Sequence, residues 1–245
     1  MAPTRSPASA DLRGVTNVDE GAPPVANAGD DVPPVAKAGD DVPNARTQLL
    51  DTASKIMRQR DTVDVSLSEL SKRAGLNSAL VKYYFGNKAG LLKALLEREW
   101  AAIVKSVDAL LAKDLDPETK LRIHMAGVVD NFFRIPYTHR LLMRMIRDSD
   151  PDEGQRLSDH YLKPLLVAYE RLIADGVAQG VFRPVDPTLF YFTVIGAADR
   201  FFTARFVLHY CSDTDVLDEA LRDRYRAHLN DFVVAGILVQ QRGDQ

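Results

Sequence analysis

Residues 66–88, with the sequence SLSELSKRAGLNSALVKYYFGNK, constrain the fold of this 245-residue chain more than any other segment. Ser66 and Glu69 have the spacing of a capping box, so a short helix is predicted to begin there. Gly75 predicts the end of that helix, because glycine readily adopts the left-handed conformation found just past a helix C-terminus. Asn77 is a suitable N-cap for a second helix over residues 78–84. The segment therefore predicts two short helices joined by a tight turn.

The spacing of small and apolar residues in this segment is that of a helix-turn-helix. Ser71 and Ala74 are small enough to lie where two helices cross, and Val81 fills the gap between them. The second helix would expose polar and cationic side chains first and aromatic ones at its end. Such side chains can reach base edges and phosphates. They are Asn77, Ser78, Lys82, Tyr83 and Tyr84.

Residues 46–95 resemble the DNA-binding domain of the TetR family of transcriptional regulators, through TQLLDTASKIM, the segment above and GLLKALL. The most specific positions are Gly75, Tyr83, Tyr84, Phe85 and Lys88. Two positions depart from the family pattern: Lys82 stands where many members carry Tyr, and Ala89 where many carry Glu. The resemblance implies a three-helix DNA-binding domain, an effector site among later helices, and a two-fold dimer formed through a four-helix bundle.

The charge distribution supports a DNA-binding role for this segment, although the formal net charge of the chain is −3. Residues 1–43 carry −4, residues 44–91 carry +4, and the remainder carries −3. Positive charge is thus concentrated where phosphates would have to be neutralised.

Residues 1–43 are predicted to form a disordered tail, because they are rich in Pro, Gly, Ala and Asp and poor in large apolar groups. They contain a near-duplicate, APPVANAGDD at 22–31 and VPPVAKAGDD at 32–41. Two interpretations remain open. The tail is a solvated extension, or its paired aspartates compete with DNA for the adjacent basic surface.

Several classes of protein are disfavoured by the sequence. A single cysteine, Cys211, excludes an intrachain disulfide and fits a reducing cytosol. Neither an 18-residue apolar run nor a signal-peptide segment is present, so a cytoplasmic protein without membrane contact is expected. The five histidines lack metal-ligand spacing, and no catalytic or phosphate-binding motif occurs. We therefore expect no metal, no cofactor and no enzymatic activity.

The rest of the chain is predicted to be all α-helical. Asn44 is expected to cap a first helix running to about Arg60, and Lys88 to begin a long helix. Further helices are predicted near residues 117–134, 136–148, 153–180, 187–211 and 215–240. The first helix should bury Leu49, Leu50, Ala53, Ile56 and Met57. Residues 44–91 are assigned to the DNA-binding domain and 92–245 to an effector-binding and dimerisation domain.

The predicted effector pocket rests on the family resemblance, since filled cores use the same large side chains. Its expected lining is Trp100, Met125, Phe132, Leu142, Met145, Tyr161, Leu165, Tyr169, Phe192 and Phe201. Possible polar anchors are Asn131, Arg134, His139, Asp199, Arg200 and Arg205. Asp199 and Arg200 lie in a strongly apolar segment, so they should form ion pairs at a subunit interface or contact a ligand.

The last two helices are apolar over a wide face, which indicates burial against a second copy of the chain. The predicted dimer contacts are Phe190, Val194, Ala198, Arg205, Leu221, Tyr225 and Phe232.

The sequence thus favours a dimeric, sequence-specific regulator, of repressor type, that binds a palindromic double-stranded DNA operator and is released by a small hydrophobic effector. The predicted DNA contacts are Arg46, Ser66, Asn77, Ser78, Ala79, Lys82, Tyr83, Tyr84 and Lys88. For Arg46, an ordinary solvated charge is an equal alternative. The alternative function is a helical carrier of hydrophobic ligands with a vestigial helix-turn-helix.

Overall fold

The structure is a computed structural model that describes residues 45–204, 207, 208, 210 and 218–239. The predicted tail, the Asn44 cap, Arg205 and Cys211 lie outside the described residues, as do parts of the last two predicted helices.

The N-terminal unit consists of α1 (Ala45–Arg60), α2 (Leu67–Ala74), α3 (Ser78–Phe85) and the beginning of α4 (Lys88–Leu111). The predicted inner face of α1 is buried as expected. It packs with residues from each of the other helices into one apolar core, which includes Leu70, Val81, Leu91 and Leu95. The helix-turn-helix is therefore held on α1 and on the first turns of α4.

The predicted capping box at the start of α2 is wrong. Ser66 occupies the N-cap position with extended backbone, but its side chain makes no capping hydrogen bond. The Glu69 carboxylate lies 2.7 Å from the Arg60 guanidinium and 2.9 Å from that of Arg73. Because these two cations satisfy it, Glu69 ties the start of α2 to the end of α1 instead of capping its own helix.

The turn between α2 and α3 follows the prediction. Gly75 has a φ of 65°, and the Leu76 N–H donates to the Ser71 carbonyl at 3.1 Å. The Gln48 side chain of α1 donates to the Ala74 carbonyl at 2.8 Å, which satisfies another carbonyl group at the C-terminus of α2. Asn77 Oδ1 accepts the Ala79 N–H at 2.9 Å, so α3 begins with the predicted side-chain cap.

The remaining described elements are also helical: α5 (Pro117–Arg134), α6 (Tyr137–Asp148), α7 (Pro151–Leu157), α8 (Lys163–Ala178), α9 (Pro187–Thr203) and α10 (Glu219–Ile237). Aspartate side chains cap four of them, and proline occupies the first turn of α5, α7 and α9. The all-α fold is confirmed. No helix among the described residues has the length and apolarity needed to cross a membrane.

The single helix predicted over 153–180 is interrupted. A π-helical turn, Ser158–Leu162, separates α7 from α8, and the Lys163 N–H bonds the Ser158 carbonyl five residues earlier. The Trp100 indole N–H of α4 donates to the Tyr161 carbonyl at 2.8 Å. The local rearrangement thus gives α4 a polar anchor on this segment.

The second apolar core lies where α5 packs against α8, α9 and α10. The end of α10 is fastened to the loop after α8, because the Arg183 N–H donates to the Ile237 carbonyl at 2.8 Å and the Val239 N–H to the Val181 carbonyl at 3.0 Å. In the same loop, Phe182 covers Gly176, where a Cβ atom would lie 1.9 Å from the phenyl ring.

Candidate nucleic-acid interface and internal cavity

The outer face of α3 is open to solvent. Val81 points inward and is 1% exposed, whereas Tyr83 on the opposite side is 79% exposed. Ser78, Ala79 and Lys82 are also exposed. The structure thus brings these four predicted contact residues onto one surface, which can approach a groove of DNA without rearrangement of the core.

Two other predicted DNA contacts, Tyr84 and Lys88, already interact with residues of the protein. Tyr84 is half-buried against the core of the N-terminal unit, with its ring edge-on to Tyr83 at 5.0 Å between centroids. Lys88 forms an ion pair with Asp64, and this partner lowers the pKa of the Asp64 carboxyl. A phosphate bound by Lys88 would have to compete with that carboxylate.

Arg46 and Ser66 flank the same unit. The guanidinium of Arg46 lies over the Phe85 ring, 5.6 Å from its centroid, which directs this cation toward the end of α3. Ser66 is exposed at the N-terminus of α2, where backbone N–H groups are available to a phosphate.

A cavity of about 390 Å³ lies among α4, α5, α6, α8 and α9. Four of the ten predicted pocket residues line it: Trp100, Phe132, Leu165 and Tyr169. The other six do not, because they are packed elsewhere. Met125, Leu142 and Tyr161 are buried in the apolar cores, and Met145 packs against the core that contains Leu142 and Tyr161. The Phe201 ring stacks on Tyr225, 3.7 Å between centroids, and Phe192 is exposed.

Sequence reasoning missed several polar or small residues in the cavity wall, among them His124, Gly127 and Thr138. The spacing of His124, Gly127, Val128 and Asn131 places them on one side of α5, so helical periodicity was an available signal. The His124 ring lies edge-on to Tyr169, 4.8 Å between centroids. Burial lowers the pKa of His124 to about 4 and raises that of the Tyr169 phenol, so both are uncharged near neutral pH.

Acidification is expected to destabilise the protein through His124. Below its usual pKa of 6.5 the unfolded chain takes up a proton that the folded protein refuses until about pH 4. Stability should therefore fall between those values, by about 3 kcal/mol in total for a shift of this size. Urea unfolding at a series of pH values should show this loss, and His124→Gln should remove it. The same substitution at the exposed His228 should leave the dependence intact, and an unchanged slope in His124→Gln would contradict the assignment.

Some of the predicted polar anchors line the cavity and others lie outside it. Asn131 and His139 line the cavity, and His139 Nδ1 lies 3.6 Å from Asp199 Oδ1. Arg134 donates to the Asn131 side chain at 2.9 Å from an exposed position. Arg200 is exposed, so the predicted Asp199 and Arg200 pair does not act as one unit. Asp199 instead contacts a residue of the cavity wall.

Helix α6 contacts both the cavity and the N-terminal unit through successive residues. Thr138 and His139 line the cavity. The hydroxyl of Tyr137 donates to Ser54 Oγ of α1 at 2.8 Å and lies 3.4 Å from Glu99 of α4. Arg140 forms an ion pair with Asp61, just after α1. A change in the cavity that moves α6 would therefore move the helix-turn-helix as well.

The predicted dimer face is partly wrong. Val194 and Ala198 are 0% exposed in the chain's own core, and Leu221 is 9% exposed. Phe190 and Tyr225 are half-buried, and Tyr225 donates to the Ala197 carbonyl at 2.7 Å. Phe232 is 70% exposed, as a contact residue should be. The exposed large apolar side chains of α9 are Leu189 and Phe192, which lie on the side of this helix opposite to the predicted contacts.

Comparisons with known proteins agree with this geometry. Residues 49–95 match the family described as bacterial regulatory proteins, tetR family, and residues 114–244 match the tetracyclin repressor-like C-terminal domain. The transcriptional regulator BetI of Paraburkholderia phytofirmans is 33% identical over 89 residues, 35% of this chain and 44% of the relative. The matches to such curated relatives span less than half of those proteins.

Two solved structures illustrate the likeness of fold. The ketosteroid transcriptional regulator KstR2 of Mycobacterium tuberculosis has a TM-score of 0.62 at 15% identity, covering 83% of this chain and all of that one. The regulator FadR of Bacillus subtilis, in complex with stearoyl-CoA, has a TM-score of 0.55 at 19% identity, covering 78% and 98%.

Proposed function

We propose, from the premise that this chain belongs to the TetR family of bacterial transcriptional regulators, that it is a dimeric repressor released from its operator by a small hydrophobic effector. The observation that carries the proposal is the placement of α6 between the cavity and the N-terminal unit. One helix there joins a site that can hold a ligand to the helices that can read DNA.

The DNA contacts are assigned from the exposed surface of the N-terminal unit. Base contacts come from Asn77, Ser78, Ala79 and Lys82, which lie at the start and outer face of α3. Phosphate contacts come from Tyr83, Tyr84, Lys88, Arg46 and the N-terminus of α2 at Ser66. Lys88 contributes by exchanging Asp64 for a phosphate oxygen, since the ion pair between them is exposed to solvent.

The substitutions Lys82→Ala and Lys88→Ala separate base reading from phosphate binding. We expect Lys82→Ala to change the sequence preference, at a cost of about 1–3 kcal/mol on the preferred operator. Lys88→Ala should weaken binding to all sequences alike and reduce the salt slope by about one. Asp64→Asn, which releases Lys88, should strengthen binding. Fluorescence anisotropy with promoter fragments at several salt concentrations measures all three, and unchanged titrations for both lysine variants would refute the assignment.

Release by an effector follows from the connections of α6. A ligand that binds better to a conformation with a displaced α6 shifts the population toward that conformation. Tyr137 and Arg140 then move α1 and the loop after it, so that the two recognition helices no longer match successive major grooves about 34 Å apart. One structural neighbour is named a ketosteroid transcriptional regulator and another is in complex with stearoyl-CoA, which supports a hydrophobic effector.

The alternative function is a helical carrier of hydrophobic ligands, which the cavity alone would also serve. A gel-mobility shift with the chain's own promoter region distinguishes the two. A regulator should bind a specific fragment in the presence of competitor DNA, whereas a carrier should bind weakly and lose all binding as salt rises.

A further inference from the structure

The wall of the internal cavity is apolar and almost free of fixed charge. Among the described residues that line it there is no aspartate, glutamate or arginine, and the one lysine, Lys113, is exposed just beyond the end of α4. His124 is neutral near pH 7, as argued above. The other basic side chain of the wall, His139, already faces Asp199 at 3.6 Å, so a carboxylate or phosphate placed deep in this cavity would find no cation without a competing carboxylate.

Three side chains of the wall have a buried polar atom without a hydrogen-bond partner among the described residues. These atoms are His124 Nε2, Thr138 Oγ1 and Tyr169 Oη. The three residues are between 2% and 8% exposed. Buried polar groups are normally satisfied, and leaving three of them unpaired around one cavity is unfavourable. A ligand that supplies a hydroxyl or a carbonyl oxygen would satisfy one or more of them.

Gly127 in the middle of α5 gives a second indication that the cavity holds a ligand. Its backbone is not in the left-handed region, and an added Cβ atom would meet nothing within 4 Å. Glycine inside a helix is less favourable than alanine, so neither the fold nor the packing requires it here. The methyl group that alanine would add would instead occupy open space beside the cavity wall.

The size of the cavity limits its occupant. At about 390 Å³ it lies near the lower end of the range of roughly 300–1,000 Å³ found for drug-sized ligands. The aromatic part of the wall favours a ligand with a compact apolar framework. It is formed by Trp100, Phe132, Tyr169 and Tyr191.

We propose that this cavity binds a compact, uncharged and largely apolar alcohol or ketone whose oxygen hydrogen-bonds with His124, Thr138 or Tyr169. The inference rests on the proposed function, because it specifies the effector of the same site. It excludes fatty acids and their thioesters as the preferred ligands, since their carboxylate or phosphates would find only Lys113 at the rim and His139, which already faces Asp199.

Trp100 allows the binding to be measured without DNA. It is the single tryptophan of the chain and it lines the cavity, so its fluorescence reports on occupancy. The probes are adamantanol, adamantane and adamantane carboxylate, which share one carbon cage, with dodecanol and dodecanoate as a linear pair. We expect each alcohol to bind at least about tenfold more tightly than its carboxylate, and adamantanol to bind more tightly than adamantane.

Three variants locate the interaction. Tyr169→Phe should weaken adamantanol roughly three- to tenfold and leave adamantane unchanged. The matched control Tyr161→Phe removes a hydroxyl from a buried tyrosine outside the cavity and should change neither affinity. Gly127→Ala should raise the melting temperature of the free protein while weakening both adamantane probes.

The outcomes are distinct. Three results would each overturn the proposed ligand class. The carboxylates could bind more tightly than the alcohols, adamantane and adamantanol could bind equally, or neither alcohol could change the fluorescence up to its solubility. DNA release is measured separately. If adamantanol binds as expected but no alcohol displaces the protein from its operator, the ligand class stands and the proposed repressor function fails.

Discussion

Phe232→Asp is expected to dissociate the proposed dimer into single chains and to reduce operator affinity by about 10²–10⁴-fold, because the two DNA-binding units would no longer be held together. Phe232, Leu189 and Phe192 are 70%, 68% and 59% exposed, on the outward faces of α10 and α9. A carboxylate at the first of these positions would be buried without a partner when two copies associate. Analytical ultracentrifugation should show a fall from twice the 27.2 kDa of one chain to a single copy.

The control for this substitution is Leu115→Asp. Leu115 is another exposed large apolar residue, but it lies between α4 and α5 and on neither helix of the proposed interface. This variant should keep both the dimer mass and the operator affinity. A Phe232→Asp protein that sediments as a dimer and still binds operator DNA would show that the copies meet through another surface.

Tyr137→Ala is expected to lower the free energy of unfolding by about 3–5 kcal/mol, a large share of the stability of an ordinary domain. Tyr137 is 0% exposed and packs into the core of the N-terminal unit from α6. Its truncation leaves a cavity between these elements and removes the hydrogen bond to Ser54. Chemical unfolding followed by circular dichroism measures the change.

Two further variants show whether burial is responsible. Tyr137→Phe keeps the ring and loses only the hydroxyl, so it should cost about 0.5–1.5 kcal/mol. Tyr83→Ala makes the same truncation at a side chain that is 79% exposed, so it should change stability by no more than about 0.5 kcal/mol while weakening DNA binding. Equal destabilisation by the two alanine variants would contradict the assigned role of Tyr137.

The helix-turn-helix could be predicted closely because its signals are local. Gly75 needs a positive φ, and Asn77 caps the helix that it directly precedes. The capping box failed for a non-local reason: Glu69 is near Arg60 of another helix, which sequence spacing does not reveal.

The prediction of Val194 and Ala198 as dimer contacts is contradicted by their burial in the chain's own core, and it could not be avoided because both sides of α9 are apolar. Val194 and Ala198 fill the core, while Leu189 and Phe192 face outward, and periodicity alone cannot tell the two stripes apart. The full lining of the cavity could not be predicted either, because it depends on how five helices are placed. Met125 and Phe132 both lie on α5, yet only Phe132 borders the space.

The π-helical turn at Ser158–Leu162 adds one residue to a helical turn, and this sets the rotational phase of everything after it. If the same residues were wound as regular α-helix without any deletion, α8 would be rotated by about 100° relative to α7. Leu165 and Tyr169 would then face away from the space they now border. The wider turn therefore accommodates one extra residue while keeping these two side chains on the cavity side of α8.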